Sequence, residues 1–172
     1  ARRLGSVGTP LPTVEARIVD ERGEVIERAG APGGLEIRGP SVFNGYWRRS
    51  SAAYFHDGWF VTGDVARRDD HGYVRLLGRA SVDILKTGGE KVSALELEEM
   101  LREHPAVAEV AVIGVPDDHW GERIVAVVVA RGHATEEELR GFARTRVAPY
   151  KVPKEVRFVT ELPRNAMGKV QK

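Results

Sequence analysis

Cysteine is absent from the 172 residues of this sequence, which excludes disulfide bonds and thiolate chemistry. The absence fits a reducing compartment, and we expect a cytoplasmic protein. Long apolar runs are missing too. The longest, IVAVVVA at 124–130, is far too short to cross a bilayer and predicts a buried strand. We therefore expect no membrane span.

An excess of charge of one sign is missing as well, because 26 basic residues balance 25 acidic ones and leave a net charge of +1. Such a chain has no overall field to attract nucleic acid, and its aromatic residues do not interleave with basic ones, so we expect no nucleic-acid partner. We also predict no metal site. The five histidines lack ligand spacing; they are His56, His71, His104, His119 and His133.

Residues 1–79 have the pattern of a β-rich unit. VEARIVD at 14–20 alternates apolar and polar residues, as a half-buried strand does. GWFVTGDVARRDDHGYVRLLGR at 58–79 predicts a strand, a Gly-Asp bend, a second strand, a DHG turn and a third strand. SSAAYF at 50–55 predicts one short helix. Many short strands with regular turns indicate a small barrel or a distorted sheet.

The character of the sequence changes at residue 80, and residues 80–172 predict a small α+β domain with a three-stranded sheet and flanking helices. Each helix opens on a hydroxyl residue followed three positions later by a glutamate, which is a capping box. The second strand is apolar at nearly every position, so we expect it to be central. The predicted elements are a helix at 93–105, strands at 106–116 and 123–130, a helix at 135–147 and a strand at 155–160.

Two segments near residue 80 carry candidate binding groups. Asp64 in VTGDV can accept hydrogen bonds from two neighbouring hydroxyls, as on a ribose, although Gly-Asp is also a common turn. Arg79 is a cation at the junction of the two predicted units, where it could hold a nucleotide. The Thr-Gly-Gly run predicts a hairpin turn with positive φ. Alternatively, the amides of Gly88 and Gly89 could line a channel for an anionic ligand together with Lys86 and Lys91, although the two lysines could also form a solvated charged face.

The segment ELPRNAMGKVQK at 161–172 predicts a basic loop. Pro163 blocks continuation of the preceding strand, and Gly168 gives the backbone freedom just before Lys169. We expect this lysine on a mobile arm. Its ammonium could bridge a carboxylate oxygen and an α-phosphate oxygen while charge builds between them. The alternative is one more exposed lysine without a role.

Basic residues also gather near the end of the second predicted helix. Arg144, Arg146 and Lys151 either complement the helix dipole or form a patch that binds phosphate. The residue pattern leaves both interpretations open.

Taken in order, four segments resemble successive core motifs of the adenylate-forming superfamily, which contains acyl-CoA synthetases, nonribosomal-peptide adenylation domains and luciferases. The resemblance covers essentially the whole chain but only about the last third of such an enzyme. Its upstream phosphate loop and carboxylate pocket are not in this sequence. The details are most similar to malonyl-CoA synthetases and related acyl-CoA synthetases. The four segments are GGLEIRGPSVFNGYW, GWFVTGDV, GRASVDILKTGGEKVSALELEE and LPRNAMGKVQK.

The resemblance implies a role for each candidate residue of the nucleotide site. Asp64 would bind the ribose hydroxyls of ATP or of the acyl-adenylate, and Arg79 would contact the ribose or a phosphate. Lys169 would be the lysine that promotes adenylation. Residues 1–79 would then end the large N-terminal domain, and residues 80–172 would be its small mobile C-terminal lid.

The resemblance also implies a site for the thiol substrate. Gly88 and Gly89, with Lys91, would lie near the tunnel for pantetheine when the thioester forms. Arg144 would contact a phosphate of coenzyme A.

One departure from the family pattern concerns the hinge between the two domains. The family usually has an Asp or Lys two positions after the motif arginine. Here Ser81 stands at that place and Asp83 follows two positions later. The pivot is therefore Ser81 or Asp83.

The favoured hypothesis is an ATP-dependent carboxylate–CoA ligase, which would use Mg-ATP, coenzyme A, a carboxylic acid and its own N-terminal domain. One alternative is an adenylation domain that loads a carrier protein. Another is a lid or interaction module without turnover of its own. The phosphate loop is missing from these residues, so we expect negligible activity from this chain alone.

Overall fold

The structure is a computed structural model that describes residues 5–48 and 50–172. The chain divides into two compact units, Ala1–Ser81 and Val82–Lys172. Both units are built around a sheet, and the two α-helices found among the described residues lie in the second unit. The α+β class expected from the sequence is confirmed.

The first unit contains a five-stranded antiparallel sheet in which the fourth strand pairs with three others. Asp20 and Asp69 close two of its turns, since each carboxylate accepts hydrogen bonds from backbone amides two and four positions later. Apolar side chains around Ile18, Ala66 and Val74 form its core. The strands are β1 (Glu15–Val19), β2 (Gly33–Arg38), β3 (Phe55–His56), β4 (Trp59–Arg68) and β5 (Val74–Arg79).

Two local predictions for this unit are wrong. Residues 51–54 form a turn that leads into β3, not a helix. A helix of six residues is marginal without strong packing, and Phe55 pairs with Phe60 across the sheet. The expected Gly-Asp bend does not interrupt β4. It is a bulge within the strand, where Gly34 pairs with Val65 and Glu36 with Val61.

The second unit is organised around its long central strand, β9. This strand pairs antiparallel with β8 along its length, parallel with β10, and with β6 through Thr87 and Gly121. Helix α1 packs on β8, and α2 packs on β10 and α1. In chain order the elements are β6 (Ile84–Thr87), β7 (Glu90–Ser93), α1 (Ala94–Arg102), β8 (Val107–Asp117), β9 (Gly121–Ala130), α2 (Glu136–Arg144) and β10 (Glu155–Phe158).

The sheet of the second unit has five strands where three were predicted, because the β6–β7 hairpin joins it. The predicted helix starts are confirmed. Ser93 accepts a hydrogen bond from the Glu96 amide, and Thr135 and Glu138 form a reciprocal capping box. Both helices are shorter than predicted, because α1 ends at Arg102 and α2 at Arg144. In the part of the chain that the structure describes, no helix has the length and apolar character needed to cross a membrane.

The core of the second unit depends on one face of α1. Ala94, Leu97, Met100 and Leu101 are buried, as their spacing predicts. They pack with apolar residues of β8 and β9, such as Val112 and Ile124.

Replacement of Leu97 by Ala should destabilise the second unit by about 2–5 kcal/mol, because it leaves a cavity at a fully buried position. Glu99→Ala, on the exposed face of the same helix, should change the unfolding free energy by about 0.5 kcal/mol or less. Guanidinium unfolding followed by circular dichroism measures both. Equal effects of the two substitutions would contradict the assigned core.

Candidate functional site

Asp64 and Arg79 lie side by side in the first unit. They are register partners on β4 and β5, and the Nε atom of Arg79 is 3.2 Å from Oδ1 of Asp64. The Asp64 side chain is 29% exposed and that of Arg79 59%. A sugar or phosphate could therefore reach both groups from solvent.

The backbone next to Asp64 explains why this pair can form. Gly63 has a φ of +79° inside the bulge, and a Cβ atom there would lie 2.9 Å from Nη1 of Arg79. The arginine also donates a hydrogen bond to the carbonyl oxygen of Thr62. The Thr62 hydroxyl in turn donates to the carbonyl oxygen of Leu35 at 2.9 Å and accepts from the Asp64 amide at 3.1 Å. Glycine at position 63 thus leaves the space that the guanidinium occupies.

Gly88 and Gly89 form the turn of the β6–β7 hairpin, with φ values of +58° and +81°. The predicted hairpin with positive φ is confirmed. Open space surrounds the position of a Cβ atom at Gly89. Lys91 lies on β7 opposite Lys86 and is exposed. These residues therefore share one accessible hairpin.

Trp120 supports this hairpin, a role that the sequence motifs did not indicate. Gly88 donates its amide to the Trp120 carbonyl oxygen at 2.8 Å, and a Cβ atom on Gly88 would lie 3.3 Å from the indole. The ammonium of Lys154 lies 4.3 Å from the ring centroid, as in a cation–π contact. The available signal was a lone tryptophan in a polar turn, DDHWGE at 117–122.

Asp117 holds Trp120 in that turn. Its carboxylate accepts hydrogen bonds from the amides of His119 and Trp120, each at 3.0 Å. These backbone hydrogen bonds lower the pKa of Asp117 despite the opposing effect of desolvation.

Lys169 is exposed on a closed turn. Asn165 Oδ1 accepts hydrogen bonds from the amides of Met167 and Lys169, both at 3.0 Å. The Asn165 amide donates to the Lys169 carbonyl oxygen at 2.9 Å, and Gly168 has a φ of +78°. Arg164 pairs with Glu109 of β8 and donates to the Gly168 carbonyl oxygen at 2.8 Å. Side chains and backbone therefore tie this segment together, and the mobility expected of the Lys169 arm stays a prediction.

Lys172 is a second lysine of the same segment, and no sequence motif indicated a role for it. Its ammonium lies 2.6 Å from Asp83 Oδ1 and 2.8 Å from Glu98 Oε1. Burial disfavours the charged form, but hydrogen bonds to the two carboxylates outweigh this effect and raise the pKa of Lys172. The ammonium is therefore charged at neutral pH. The stability that this shift contributes is present below the unfolded pKa of lysine, about 10.4, and is lost as pH rises through the raised folded value.

The three basic residues near the end of α2, Arg144, Arg146 and Lys151, each lie within 4 Å of a glutamate of the second unit. Arg144 Nη1 lies 2.7 Å from Glu137 Oε1, and its hydrogen bond lowers the pKa of Glu137. Lys151 Nζ lies 2.8 Å from Glu96 Oε2. These contacts favour a structural interpretation for the basic patch, although the exposed Arg144 can still meet an anion from solvent.

The two hinge candidates differ in their surroundings. Ser81 is the last residue of the first unit, while Asp83 belongs to the second. The Asp83 carbonyl oxygen accepts a hydrogen bond from Ala94 at 2.7 Å, and its carboxylate holds Lys172. The hinge role itself stays a prediction.

Two sequence profiles match this chain. The profile described as "AMP-binding enzyme" matches residues 1–47, and that described as "AMP-binding enzyme C-terminal domain" matches residues 96–169. Together with the fold, they show that the chain belongs to the AMP-binding enzyme family. The resemblance to the adenylate-forming superfamily is thereby confirmed.

Individual relatives agree with this assignment. A mitochondrial malonate–CoA ligase, ACSF3 of Bos taurus, is 48% identical over 196 residues, which cover 100% of this chain and 33% of the relative. The crystal structure of ATP-bound MatB from Rhodopseudomonas palustris has 43% sequence identity to this chain and a TM-score of 0.88. The match covers 97% of this chain and 34% of MatB. o-Succinylbenzoate CoA synthetase (MenE) from Bacillus subtilis, in complex with the acyl-adenylate OSB-AMP, is 37% identical with a TM-score of 0.90, covering 98% and 34%. The chain thus spans about a third of the length of these relatives.

Replacement of Asn165 by Ala should loosen the Lys169 turn, because its amide oxygen accepts two backbone hydrogen bonds. At about 1 kcal/mol for each hydrogen bond, amide exchange at Met167 and Lys169 should accelerate roughly 5- to 30-fold. Hydrogen exchange followed by NMR measures this. Gln171→Ala, at an exposed position nearby, is the matched control. Unchanged exchange in Asn165→Ala would show that the side chain does not hold the turn.

Proposed function

We propose that this chain is the C-terminal portion of an ATP-dependent carboxylate–CoA ligase that works through an acyl-adenylate. The observation that carries the proposal is the exposed Lys169, which a closed turn presents within a domain of the AMP-binding enzyme family. A lysine held in this way can act on a substrate that is bound outside the second unit, while its own backbone keeps a defined geometry.

In the first half-reaction, the substrate carboxylate attacks the α-phosphorus of ATP and pyrophosphate leaves. The Lys169 ammonium would lie between the attacking oxygen and an α-phosphate oxygen, where it stabilises the negative charge of the transition state. Asp64 would accept hydrogen bonds from the ribose hydroxyls, and Arg79 would contact the ribose or a phosphate. The accessible pair formed by these two residues supports both roles.

Magnesium would enter with ATP. The described residues contain no group of three His, Asp or Glu side chains that could hold a metal ion. In our proposal the ion is therefore held mainly by phosphate oxygens of ATP and by water, with few ligands from the protein.

In the second half-reaction, the thiol of coenzyme A attacks the acyl-adenylate and AMP leaves. We propose that the Gly88–Gly89 turn with Lys91 borders the path of the pantetheine, since open space lies next to Gly89. Rotation of the second unit about Ser81 or Asp83 would move Lys169 away from the reacting groups and bring the Gly88–Gly89 turn towards them. The N-terminal domain found in longer relatives would supply the rest of the site.

Malonate or a related carboxylic acid is the substrate that we propose, because the bovine relative is named a malonate–CoA ligase. The same similarity extends to an o-succinylbenzoate enzyme, so the acid must be identified with a panel of substrates in the full-length protein. A cytoplasmic location stays a prediction, since the bovine ligase is named mitochondrial.

In the full-length protein, Lys169→Ala should lower the rate of adenylation about 100-fold or more, because it removes a charge that stabilises the transition state. Thioester formation from supplied acyl-adenylate should stay within about threefold, because that step does not use this lysine. Pyrophosphate release and acyl-CoA formation measure the two steps. Arg131→Ala, an exposed position after β9, is the control. An equal loss in both steps would refute the proposed division of labour.

Arg144→Glu distinguishes free coenzyme A from a carrier protein as the acceptor. If Arg144 binds a phosphate of the cofactor, reversal of its charge should raise the KM for free coenzyme A about tenfold and leave the KM for ATP unchanged. The matched control is Arg157→Glu, since Arg157 is also exposed and paired with a glutamate. An unchanged KM for coenzyme A, together with turnover of a pantetheinylated carrier, would favour the carrier-loading alternative.

A further inference from the structure

We propose that Lys172 is a positioning residue for Lys169: its ammonium fastens the lysine turn to Asp83 and to the buried Glu98 of α1. This inference rests on the proposed function, because it concerns the reach of the lysine assigned to adenylation. It assigns a specific task to a residue that does not itself contact the reacting groups.

The contacts of Lys172 join three parts of the second unit. Its side chain is 12% exposed, and its carboxylate partners Asp83 and Glu98 are 13% and 4% exposed. Asp83 lies in the turn before β6, and Glu98 lies on α1. The Oε1 atom of Glu98 also accepts a hydrogen bond from the Val112 amide of β8 at 2.8 Å. The segment that carries Lys169 is therefore bound to the framework of the unit, not only to its neighbours in sequence.

The charges of this cluster balance. Glu98 and Asp83 are negative, while Lys172 and Arg102 are positive, and Arg102 lies 3.2 Å from Glu98. A buried carboxylate is costly unless it is paired and hydrogen-bonded. Lys172 is the partner that Glu98 and Asp83 share, so the two carboxylates draw the lysine segment to a defined place.

Lys169 thus lies between two ion-paired residues. Arg164 precedes it and pairs with Glu109 of β8, while Lys172 follows it and pairs with Asp83 and Glu98. Loss of the downstream pair would leave Lys169 held from one side only. A shift of about 1 Å in a group that acts on the transition state can lower a rate by as much as 100-fold.

The position of Asp83 adds a second consequence. It lies two residues after Ser81, where the first unit ends. The ion pair with Lys172 therefore links the start of the second unit to the segment that carries Lys169. Any movement of the second unit as a body would carry this lysine with it rather than leave it behind.

The test uses the full-length enzyme with Lys172→Met, which keeps the length of the side chain and removes its charge. Adenylation should fall about tenfold in kcat with the KM for ATP nearly unchanged, while thioester formation from supplied acyl-adenylate stays within about twofold. Lys172→Arg, which restores the charge, should recover most of the loss. Arg131→Ala serves as the control.

A double-mutant comparison separates positioning from a general structural role. If Lys172 acts through Lys169, Lys172→Met should cause no further loss of adenylation in the Lys169→Ala enzyme. A further loss in that background, or equal losses in both half-reactions, would overturn the proposal. So would wild-type adenylation by Lys172→Met.

Asp83→Asn provides a second variant in case Lys172→Met does not fold, because it keeps the pair between Lys172 and Glu98. It should lower adenylation by a smaller factor and again cause no further loss in the Lys169→Ala background. Thioester formation from supplied acyl-adenylate should stay within about twofold, which separates this effect from an impaired hinge at Asp83. Adenylation equal to that of the unsubstituted enzyme, or a further loss in the Lys169→Ala enzyme, would overturn the inference. The proposed function fails in a different way: the unsubstituted full-length enzyme would then form no acyl-adenylate from any acid, or Lys169→Ala would adenylate normally.

Discussion

The burial of the Glu98 carboxylate is the constraint on which much of the second unit depends. An ionised carboxylate inside a protein needs hydrogen bonds and opposite charge, and no single neighbouring element can supply them all. Glu98 lies on α1 and takes its partners from β8, from its own helix and from the segment after β10. The contacts of Glu98 thus connect α1, β8 and the segment after β10. Apolar packing alone would fix the relative positions of these elements less specifically.

A comparable constraint shapes the first unit at a smaller scale. Gly63 adopts a left-handed conformation inside a bulge of β4, and this leaves room for the guanidinium of Arg79 beside Asp64. The pair remains open to solvent because it lies at the surface of a sheet. The sheet thereby presents one cation and one carboxylate 3.2 Å apart, which suits recognition of a sugar and a phosphate.

The two units fit a division of labour in the proposed ligase. The first presents groups suited to the nucleotide, and the second presents both the lysine turn and the glycine hairpin. Each of these two features is stabilised within the second unit, the lysine turn by Asn165 and Arg164 and the hairpin by Trp120. Their geometry therefore does not depend on which of them acts in a given step, as a mechanism with alternating domains requires.

Local patterns in the sequence determined the helix starts, the hairpin glycines and the family. A capping box such as Thr135 with Glu138 acts within four residues, and positive φ at Gly88 and Gly89 is a property of the turn itself. The apolar run at 124–130 similarly predicted a central strand, and β9 has this position in the sheet. In each case, the residues that cause the structure are neighbours in the chain.

Tertiary structure alone decided the remaining features, because their partners lie far apart in sequence. Lys172 and Asp83 are separated by 89 positions, and neither residue type indicates the other. The hairpin joins the sheet through Gly121, and Trp120 lies against Gly88, although both partners are more than 30 positions away in the chain. The ion pairs of the lysine segment were hidden for the same reason: local sequence shows its glycine and proline, whereas its partners Glu109, Asp83 and Glu98 lie far away in the chain.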